Sequence, residues 1–424
     1  MKKKLSGVLA LILAATAAVS AAGCAQNNSG GSTSQSGSSG EEMTEFKDLL
    51  DGVEINDDTD GMIDEKKIDT VYTDFAVRFA QNADKTGESM FVSPISAAYG
   101  LELAANGAHG DTLTQIENTL GGSTFTMNRY FYFAVEGVSP GDSSGFKIGN
   151  SLWINSKNNF KPDDKTIKEI RTFYDASVFY GDFADIANDA SAWLGKMGAN
   201  PSAGYLPKES DSMYSLNSLE MTSQWKNAFD PKNSKKAKFT GIDGAQTDVD
   251  YLNGYGEKYI KDDSSEGFIK LFKGDCYGFA AILPNEGTSV EDYLKSMTGS
   301  GLTDMLKSAE EKNVGVSLPK IKEAYELSFK DVFVNMGVKD AFDSEKADFS
   351  SLGSFDGNLS LCDVVGESKI SINENALNSD SAANGTLTAE TDKQITLDRP
   401  FIYVIFDNNS YIPKYIGVYK KAGV

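Results

Sequence analysis

The apolar residues of this chain change their spacing partway along it, and that change limits the fold more than any other feature. Between Ile68 and Phe79 they recur every three to four residues, which places them on one face of a helix. Further on, short apolar runs bounded by turn residues predict β-strands. These runs are residues 151–154, 278–283, 401–406 and 411–419, with the last two expected to pair as a hairpin. Helices dominate early and strands late, which predicts an α+β fold.

Capping residues locate the ends of the early helices. A strand is predicted over residues 90–92, and Ser93 is then in position to cap a helix that starts with a proline, where the missing N–H costs nothing. Thr112 and Gln115 have the spacing of a capping box for the next helix. Gly121 is expected to end that helix.

The first 23 residues have the layout of an export signal. Lysines at positions 2–4 precede an apolar run over residues 5–19, and Cys24 follows directly after Ala-Ala-Gly. This ending resembles the lipobox of bacterial lipoproteins, in which the cysteine carries the lipid and becomes the mature N-terminus. A membrane-spanning anchor would need about 20 apolar residues, and this run is shorter. We therefore predict a lipoprotein signal peptide over residues 1–23 and lipidation at Cys24.

Residues 24–66 are predicted to form a flexible polar and acidic tether. Residues 25–40 are almost entirely Ser, Gly, Asn, Gln and Thr, a composition that cannot bury enough apolar surface to order itself. Residues 56–61 mimic the start of a calcium loop, but its twelfth position is Lys67, where a carboxylate belongs. One folded domain is expected over residues 67–424. Its predicted location is the extracellular face of the cell membrane, held by the lipid, or the medium after secretion.

Charge and composition argue against several classes of function. The chain has 40 Lys and Arg against 61 Asp and Glu, a net charge of −21, which leaves no basic face for nucleic acid. The single histidine, His109, lies in a predicted turn, where an exposed surface residue is expected rather than a general base. Cys276 and Cys362 could form at most one disulfide, and two separate buried thiols are the favoured interpretation. We predict no enzyme activity, no catalytic residues, no metal site and no cofactor.

From about residue 68 to the C-terminus the chain contains eight short motifs in a fixed order. They are Phe91-Val92-Ser93-Pro94-Ile95-Ser96, Asn106-Gly107-Ala108-His109-Gly110-Asp111-Thr112 with Gln115-Ile116, Asn150-Ser151-Leu152-Trp153, Asn217 with Trp225 and Phe229-Asp230-Pro231, Leu318-Pro319-Lys320, Met336-Gly337-Val338 with Ala341-Phe342, Ala347-Asp348-Phe349-Ser350, and Asp398-Arg399-Pro400-Phe401. Together they resemble the serpin family, here a bacterial serine protease inhibitor. Any one motif is weak, but eight in the family's order indicate one large domain.

The resemblance implies a serpin fold of three β-sheets and about eight or nine helices, with an exposed reactive-centre loop over about residues 374–397. Serpins are not enzymes. In inhibitory members a serine protease attacks the loop as a substrate and forms an acyl-enzyme, and the cut loop then inserts into the large sheet and traps the protease. By the same resemblance, Ser93, Ser96 and Asn217 belong to the region where the sheet opens. Gly366 stands where the family commonly has a histidine that helps to latch the sheet.

The resemblance also assigns a hinge to the start of the loop, and the sequence after the hinge can be tested for insertion. The hinge residues are Glu374, Asn375, Ala376 and Leu377. An inserted strand packs alternate side chains on the core. From Leu377 that set is small or apolar, and it consists of Leu377, Ser379, Ser381, Ala383, Gly385 and Leu387. The opposite set carries the only charge, Asp380, whose burial would cost several kcal/mol. The loop is therefore compatible with insertion, although a flexible loop that is merely cut would have a similar composition.

Two ways of counting place the reactive bond after different residues. By the spacing usual in the family, counting forward from Glu374 gives Glu390 and counting backward from Pro400 gives Ala389. The resemblance therefore implies a reactive bond within Ala389, Glu390 and Thr391. Ala389 suits the shallow pocket of an elastase-like or subtilisin-like protease. We predict such a serine protease as the partner. The alternative is a non-inhibitory serpin-fold binding or decoy protein whose loop is cleaved without trapping.

Some serpins bind sulfated polysaccharides through a basic helix. Residues 124–146 contain Arg129 as their single basic residue, and the chain as a whole is acidic. The sequence therefore argues against heparin as a partner.

Overall fold

The early helices and late strands predicted above are both present in the structure. The computed structural model describes residues 46–54, 65–136, 145–174, 176–197, 206–377, 391 and 393–422. The α-helices in these residues are α1 Glu65–Ala83, α2 Pro94–Ala105, α3 Gly110–Leu120, α4 Thr124–Glu136, α5 Asp164–Phe173, α6 Ile186–Lys196, α7 Val290–Ser296, α8 Gly299–Lys307 and α9 Lys330–Met336. The strands are β1 Lys47–Asp48, β2 Met90–Val92, β3 Gly145–Asn155, β4 Lys161–Pro162, β5 Ser177–Gly181, β6 Met213–Gln224, β7 Lys235–Thr240, β8 Gln246–Lys261, β9 Ser265–Leu271, β10 Tyr277–Pro284, β11 Glu310–Pro319, β12 Ile321–Ser328, β13 Gly353–Ser354, β14 Leu361–Ile372, β15 Ala376–Leu377, β16 Gln394–Thr396, β17 Phe401–Asp407 and β18 Pro413–Tyr419.

Within the described residues the strands form three sheets. The first, called the large sheet here, has the order β1-β5-β3-β6-β15-β14-β12. The second has the order β16-β11-β8-β9-β10-β17-β18-β2, with β7 paired to β8, and β4 pairs with β13 in the third. With nine α-helices in the same residues, the predicted α+β class, number of sheets and number of helices are confirmed.

The predicted strands and hairpin are found in the expected places. Residues 151–154 lie in β3 and residues 278–283 lie in β10. The C-terminal strands β17 and β18 pair antiparallel, with Phe401 opposite Tyr419. All seven residues of β18 are buried, so this hairpin forms part of the core.

Helix α2 begins as the sequence predicts and lies behind the large sheet. The Ser93 hydroxyl accepts a hydrogen bond from the Ser96 N–H at 3.3 Å, and all twelve helix residues are buried. The hydroxyl of Ser215 on β6 donates to the Gly100 carbonyl at 3.2 Å. A side chain at position 100 would collide with Asn217, so a glycine is needed for the helix to approach the sheet this closely.

The predicted capping box of the next helix is wrong. Helix α3 begins at Gly110, and its N-cap residue is His109, whose side chain makes no capping hydrogen bond. The Thr112 hydroxyl instead accepts from the Asp348 N–H at 3.0 Å. The Gln115 side-chain oxygen accepts from the N–H groups of residues 339 and 340. Both side chains are used in tertiary contacts, which spacing along the sequence does not reveal.

The predicted tether is too long at its C-terminal end. Residues 46–50, called the clip here, lie on the edge of the large sheet, where β1 pairs antiparallel with β5. Leu49 and Leu50 are buried, and the ring of Phe46 lies 5.0 Å from that of Trp153. These three apolar side chains interrupt the acidic stretch and give it surface to bury. Helix α1 also starts two residues before the predicted domain boundary.

The two cysteines of the domain do not form a disulfide. Separate thiols are therefore confirmed, but both residues are half-buried rather than buried, contrary to expectation. Cys362 lies on β14, where its sulfur accepts from the Ser212 N–H at 3.4 Å.

Candidate functional site

Strands β6 and β14 form a boundary in the large sheet that we call the seam. The two strands run parallel and pair directly from Met213 with Leu361 to Ser218 with Glu367. Beyond that level β15 lies between them. The lower half of the seam is therefore closed by direct pairing, whereas the upper half is bridged by two hinge residues.

The hinge residues of β15 pair antiparallel with both neighbouring strands. Leu377 is opposite Ile372 on β14 and Ser223 on β6, and Ala376 is opposite Gln224. The side chain of Leu377 is 1% exposed, so it points toward the core, as the alternation argument predicts for an inserted loop. Ala376 and Leu377 thus occupy a strand position between β6 and β14 in the large sheet.

Glu374 is held by two charged or polar partners at the entrance of the hinge. Its carboxylate accepts from the Lys320 ammonium and from the Ser234 hydroxyl, each at 2.7 Å. Burial alone would raise the pKa of Glu374, but these two hydrogen bonds hold that pKa below its ordinary value. The carboxylate is therefore ionised and bonded at neutral pH.

Trp225 fixes the backbone of the hinge. Its indole N–H donates to the Asn373 carbonyl at 2.9 Å, and its backbone N–H donates to the Asn375 carbonyl at 3.1 Å. The indole stacks on Phe272 with ring centroids 4.6 Å apart. The backbone N–H of Phe229 donates to the Glu374 carbonyl at 2.9 Å, so the carbonyls of residues 373–375, at the start of the hinge, are all bonded to the body of the protein.

A buried lysine lies beneath this aromatic support. Lys270 is 1% exposed, and its ammonium lies 4.4 Å from the Phe229 ring centroid and 5.7 Å from that of Trp225. It donates to the Tyr255 carbonyl at 3.0 Å. Burial lowers the pKa of Lys270 to about 8, while the nearby carboxylate of Glu257 opposes this shift.

The residues expected where the sheet opens are buried, and Ser93 and Ser96 share the capping hydrogen bond, whereas Asn217 bonds to Ser215 instead. Ser93 donates to the Lys414 carbonyl at 3.1 Å, and Asn217 donates to the Ser215 hydroxyl at 3.1 Å. Within the described residues the Ser96 hydroxyl and the Asn217 side-chain oxygen have no hydrogen-bond partner. Asn217 is opposite Asn150, whose side-chain amide is also buried and without a partner in the same residues. Buried polar groups near the centre of the seam therefore lack hydrogen-bond partners within the described residues.

An aromatic ring occupies the space beside Gly366. A Cβ atom at this position would lie 2.5 Å from the Phe329 ring. That ring packs on Phe79 with centroids 5.1 Å apart. The position therefore has no room for the family's histidine, because the Phe329 ring fills the space with apolar packing.

The reactive bond is described only at its last residue. Ala389, Glu390 and Cys24 lie outside the described residues, as do the calcium-like residues 56–61. Thr391 is exposed and lies beside Gly315 of β11. From there β16 pairs parallel with β11, and the Gly315 N–H donates to the Lys393 carbonyl at 2.8 Å.

The other candidate groups do not assemble into a site. His109 is exposed, with its Nδ1 3.5 Å from a carboxylate oxygen of Asp348. In the part of the chain that the structure covers, no three metal-ligating side chains come together. No helix among those residues is both long and apolar enough to cross a membrane.

Several residues of the hinge region were not predicted as site residues. Lys320 and Trp225 belong to motifs quoted above, but their motifs do not indicate contact with the hinge. Lys270 is two residues from Phe268 in β9, and this period-two spacing is the one sequence signal that it faces inward. Phe329 gives no sequence signal of its role beside Gly366.

Comparisons with known proteins agree with this geometry. Residues 70–421 match the family model described as serpin, serine protease inhibitor. An uncharacterized serpin-like protein of Thermococcus kodakarensis is 24% identical over 376 residues, which cover 83% of this chain and 85% of that protein.

Among solved structures, the chain is similar to the thermophilic serpin tengpin in two states. The native state has 30% identity and a TM-score of 0.83, with 89% of this chain and 100% of that chain covered. The latent state has 30% identity and a TM-score of 0.73, with coverage of 86% and 100%. The fold described here is thus more similar to the native state of that protein than to its latent state.

Proposed function

Because this chain belongs to the serpin family, we propose that it inhibits an elastase-like or subtilisin-like serine protease by acting as a suicide substrate. The family is in general one of protease inhibitors rather than catalytic enzymes. The observation that carries the proposal is β15, since Ala376 and Leu377 already pair between β6 and β14. Insertion of the rest of the loop would extend an existing strand rather than nucleate a new one.

The proposed chemistry begins as ordinary proteolysis. The protease serine attacks the carbonyl of Ala389, or of Glu390, and the peptide bond to the next residue breaks. The protease is then joined by an ester to the loop segment that remains attached to β15, and the new amine leaves on the other side of the cut. Movement of the loop carries the protease away before water can hydrolyse the ester.

The register of β15 defines where the inserted loop would lie. Leu377 is opposite Ser223 and Ala376 is opposite Gln224, so each further loop residue moves one residue back along β6. Continued in this register, residues 378–387 pair with residues 213–222, which is the remainder of β6. The strand is thus long enough to receive the loop up to two residues before Ala389.

Insertion requires that the lower half of the seam separate. Six pairs of residues join β6 to β14 there, from Met213 with Leu361 to Ser218 with Glu367. The new strand would replace this parallel ladder by two antiparallel ladders, and antiparallel pairing is slightly more stable per residue. This difference favours insertion.

The test is incubation with pancreatic elastase followed by a denaturing gel and mass spectrometry. We expect an adduct with the summed mass of the protease and the chain cut after Ala389, and we expect trypsin to give none. The matched variant Ala389→Arg should reverse this preference, because it offers trypsin a basic residue at the cut. An adduct with trypsin but none with elastase from the natural chain would contradict the assigned specificity.

The second candidate is a non-inhibitory serpin-fold protein whose loop is cut without trapping. Two observations favour it. Phe329 leaves no room for a latching side chain at Gly366, and Leu377 is a bulky residue at an early hinge position. Under this hypothesis elastase gives a clean nick in the loop and no adduct at any ratio of protease to protein.

For its location we propose the extracellular face of the cell membrane, with Cys24 lipidated after removal of residues 1–23, or release into the medium. Mass spectrometry of the N-terminal peptide from a membrane fraction tests this. A diacylglyceryl group on the cysteine sulfur is expected, and Cys24→Ser should move the protein to the soluble fraction. An unmodified Cys24 in membrane-bound protein would contradict the proposal.

A further inference from the structure

The clip is a well-packed attachment rather than a loose extension. The Phe46 ring lies 5.0 Å from Trp153, 6.1 Å from Phe183 and 6.5 Å from Phe179, measured between ring centroids. A Cβ atom at Gly181 would lie 2.6 Å from the Phe46 ring, so this glycine leaves the space that the ring fills. The arrangement partly buries an aromatic side chain against the apolar cluster of Trp153, Phe179 and Phe183.

Hydrogen bonds fix the clip in one register. The Asp48 carboxylate accepts from the N–H groups of Leu50 at 3.0 Å and Val178 at 3.1 Å. The Leu49 N–H donates to the Val178 carbonyl at 2.8 Å. These bonds also pair part of the backbone of β5, which would otherwise be an open sheet edge.

The register of the large sheet places the clip at the end remote from the hinge. Lys47 is opposite Tyr180, which is opposite Ile154, which is opposite Met213 at the start of β6. The hinge is opposite Gln224, at the other end of the same strand. Eleven residues separate Met213 from Gln224, so the two levels are about 36 Å apart.

The direction of β1 determines where the preceding chain leaves the domain. Because β1 is antiparallel to β5, Phe46 lies beside Gly181 at the remote end and the chain then runs toward the hinge level. The described part of the chain therefore begins at the remote end, and 21 residues lie between Cys24 and Phe46 in the sequence. Their composition predicts a coil with a root-mean-square span of about 25 Å, less than the length of the sheet.

We propose that the clip attaches the membrane tether to the end of the large sheet opposite the reactive loop, so that the anchored protein faces a lipid surface with its remote end and presents its loop to the medium. The inference rests on the proposed lipid anchor at Cys24. The net charge of −21 repels anionic lipid headgroups, so the orientation comes from the tether and not from electrostatic docking.

Without the clip, the attachment would move to the start of α1. The tether would then comprise the 40 residues from 25 to 64 instead of 21. Its span would rise to about 35 Å, similar to the length of the sheet. The domain could then turn over, and the loop would lose its preferred direction.

The orientation can be measured by energy transfer to a vesicle. The chain from Cys24 onward, with Cys276→Ser and Cys362→Ser, is coupled through Cys24 to a maleimide lipid in phosphatidylcholine vesicles that contain an acceptor dye. A donor dye is attached through a non-natural amino acid at one of two exposed positions. Lys161, seven residues beyond Ile154, reports on the remote end, and Lys236 lies on β7. Lys236 is on the hinge side, since its cross-strand partner Asp250 bonds to Lys320.

The natural clip should give several-fold more transfer from position 161 than from position 236. The double variant Phe46→Ser with Leu50→Ser should bring the ratio toward one. Lys47→Ser, an exposed position in the same segment, should leave the ratio unchanged. Equal transfer from both positions in the intact protein, or a ratio that the double variant does not change, would overturn the proposal.

A second measurement, the rate at which elastase cuts the loop, uses the natural chain and so does not depend on the stability of the double variant. Elastase should cut the vesicle-bound natural chain as fast as the free chain, because its loop faces the medium. A slower cut of the bound natural chain would also overturn the proposal. Because the chain is coupled to the vesicle chemically, neither result depends on lipidation in cells. An unmodified Cys24 in a native membrane would contradict the proposed lipid anchor without changing the orientation measured on vesicles.

Discussion

The two halves of the seam between β6 and β14 are joined in different ways. In the lower half the strands pair directly, and Phe329 packs against the gap left by Gly366. In the upper half the strands have separated, and the short strand β15 lies between them with Leu377 buried. The lower half is closed by the β6–β14 ladder, and the upper half is closed by Ala376 and Leu377 at the start of the loop.

Because of this difference, the free-energy cost of separating the strands during the proposed insertion would arise in the lower half and not in the upper half. The upper half needs no further opening, because the hinge is already paired and Trp225 and Phe229 hold its carbonyls. The lower half has to exchange a complete parallel ladder. The boundary between the halves lies near Asn217, whose side-chain oxygen is buried without a partner in the described residues. Such a group destabilises the closed form and marks the place where separation would continue.

The largest effect is expected from a charge in the upper half. Leu377→Arg places a cation where the natural side chain is 1% exposed, and burying it would cost several kcal/mol. We expect the elastase adduct to disappear while cleavage of the loop continues. Leu377→Met conserves volume and polarity and should retain the adduct. A full yield of adduct from Leu377→Arg would show that position 377 does not enter the sheet.

The next effect concerns the lower half. Gly366→Ala forces a methyl group against Phe329 and should lower the free energy of unfolding by about 1–3 kcal/mol. Phe329→Leu in the same chain should recover part of the loss by making room. Denaturant unfolding measures both variants. If the single variant is as stable as the natural chain, Phe329 does not restrict the space at position 366.

A smaller effect is expected behind the seam, at Glu102 of α2. This carboxyl is fully buried, and burial raises its pKa well above the ordinary value. It therefore binds its proton more tightly in the folded state, so the free energy of unfolding falls as the pH rises above the ordinary carboxyl range. Glu102→Gln should remove this dependence and stabilise the protein by roughly 1–2 kcal/mol at pH 8, with less gain at pH 5. A gain that is equal at both pH values would contradict an ionisable origin.

The smallest effect is expected at the entrance of the hinge. The pKa of Glu374 is lowered by Lys320 and Ser234, so its contribution to stability is present above the ordinary carboxyl pKa and is lost as the pH falls through the lowered value. Glu374→Gln should weaken the hinge by less than about 1 kcal/mol. Fluorescence of Trp225, which contacts the hinge, should report this loosening at neutral pH and no difference from the natural chain in strong acid. An unchanged signal at neutral pH would mean that the ion pair does not hold the hinge.

Structural features that depend on periodicity and helix caps could be predicted from the sequence. Features that depend on contacts between distant residues could not. The helix stripe from Ile68 to Phe79, the cap at Ser93 and the C-terminal hairpin follow from local rules and are found in the structure. Thr112 and Gln115 satisfied a local rule, but their partners lie more than 200 residues away and decide their roles.

The site shows the same division. The inward direction of Leu377 follows from alternation along one strand. Its insertion in the resting structure depends on Trp225 and Lys320, and a single sequence does not show that these residues meet the hinge. The clip was missed for a related reason, since three apolar residues in an acidic stretch become significant only when Gly181 supplies the space for one of them.

The proposed mechanism requires the segment following Leu377 to enter the seam when the loop is cut. The most direct test is the thermal unfolding midpoint of the chain before and after elastase cleavage, with Leu377→Arg as the control. We expect cleavage to raise the midpoint by tens of degrees in the natural chain and to leave it unchanged in the control. A natural chain that is fully cut and melts at its original temperature would contradict it.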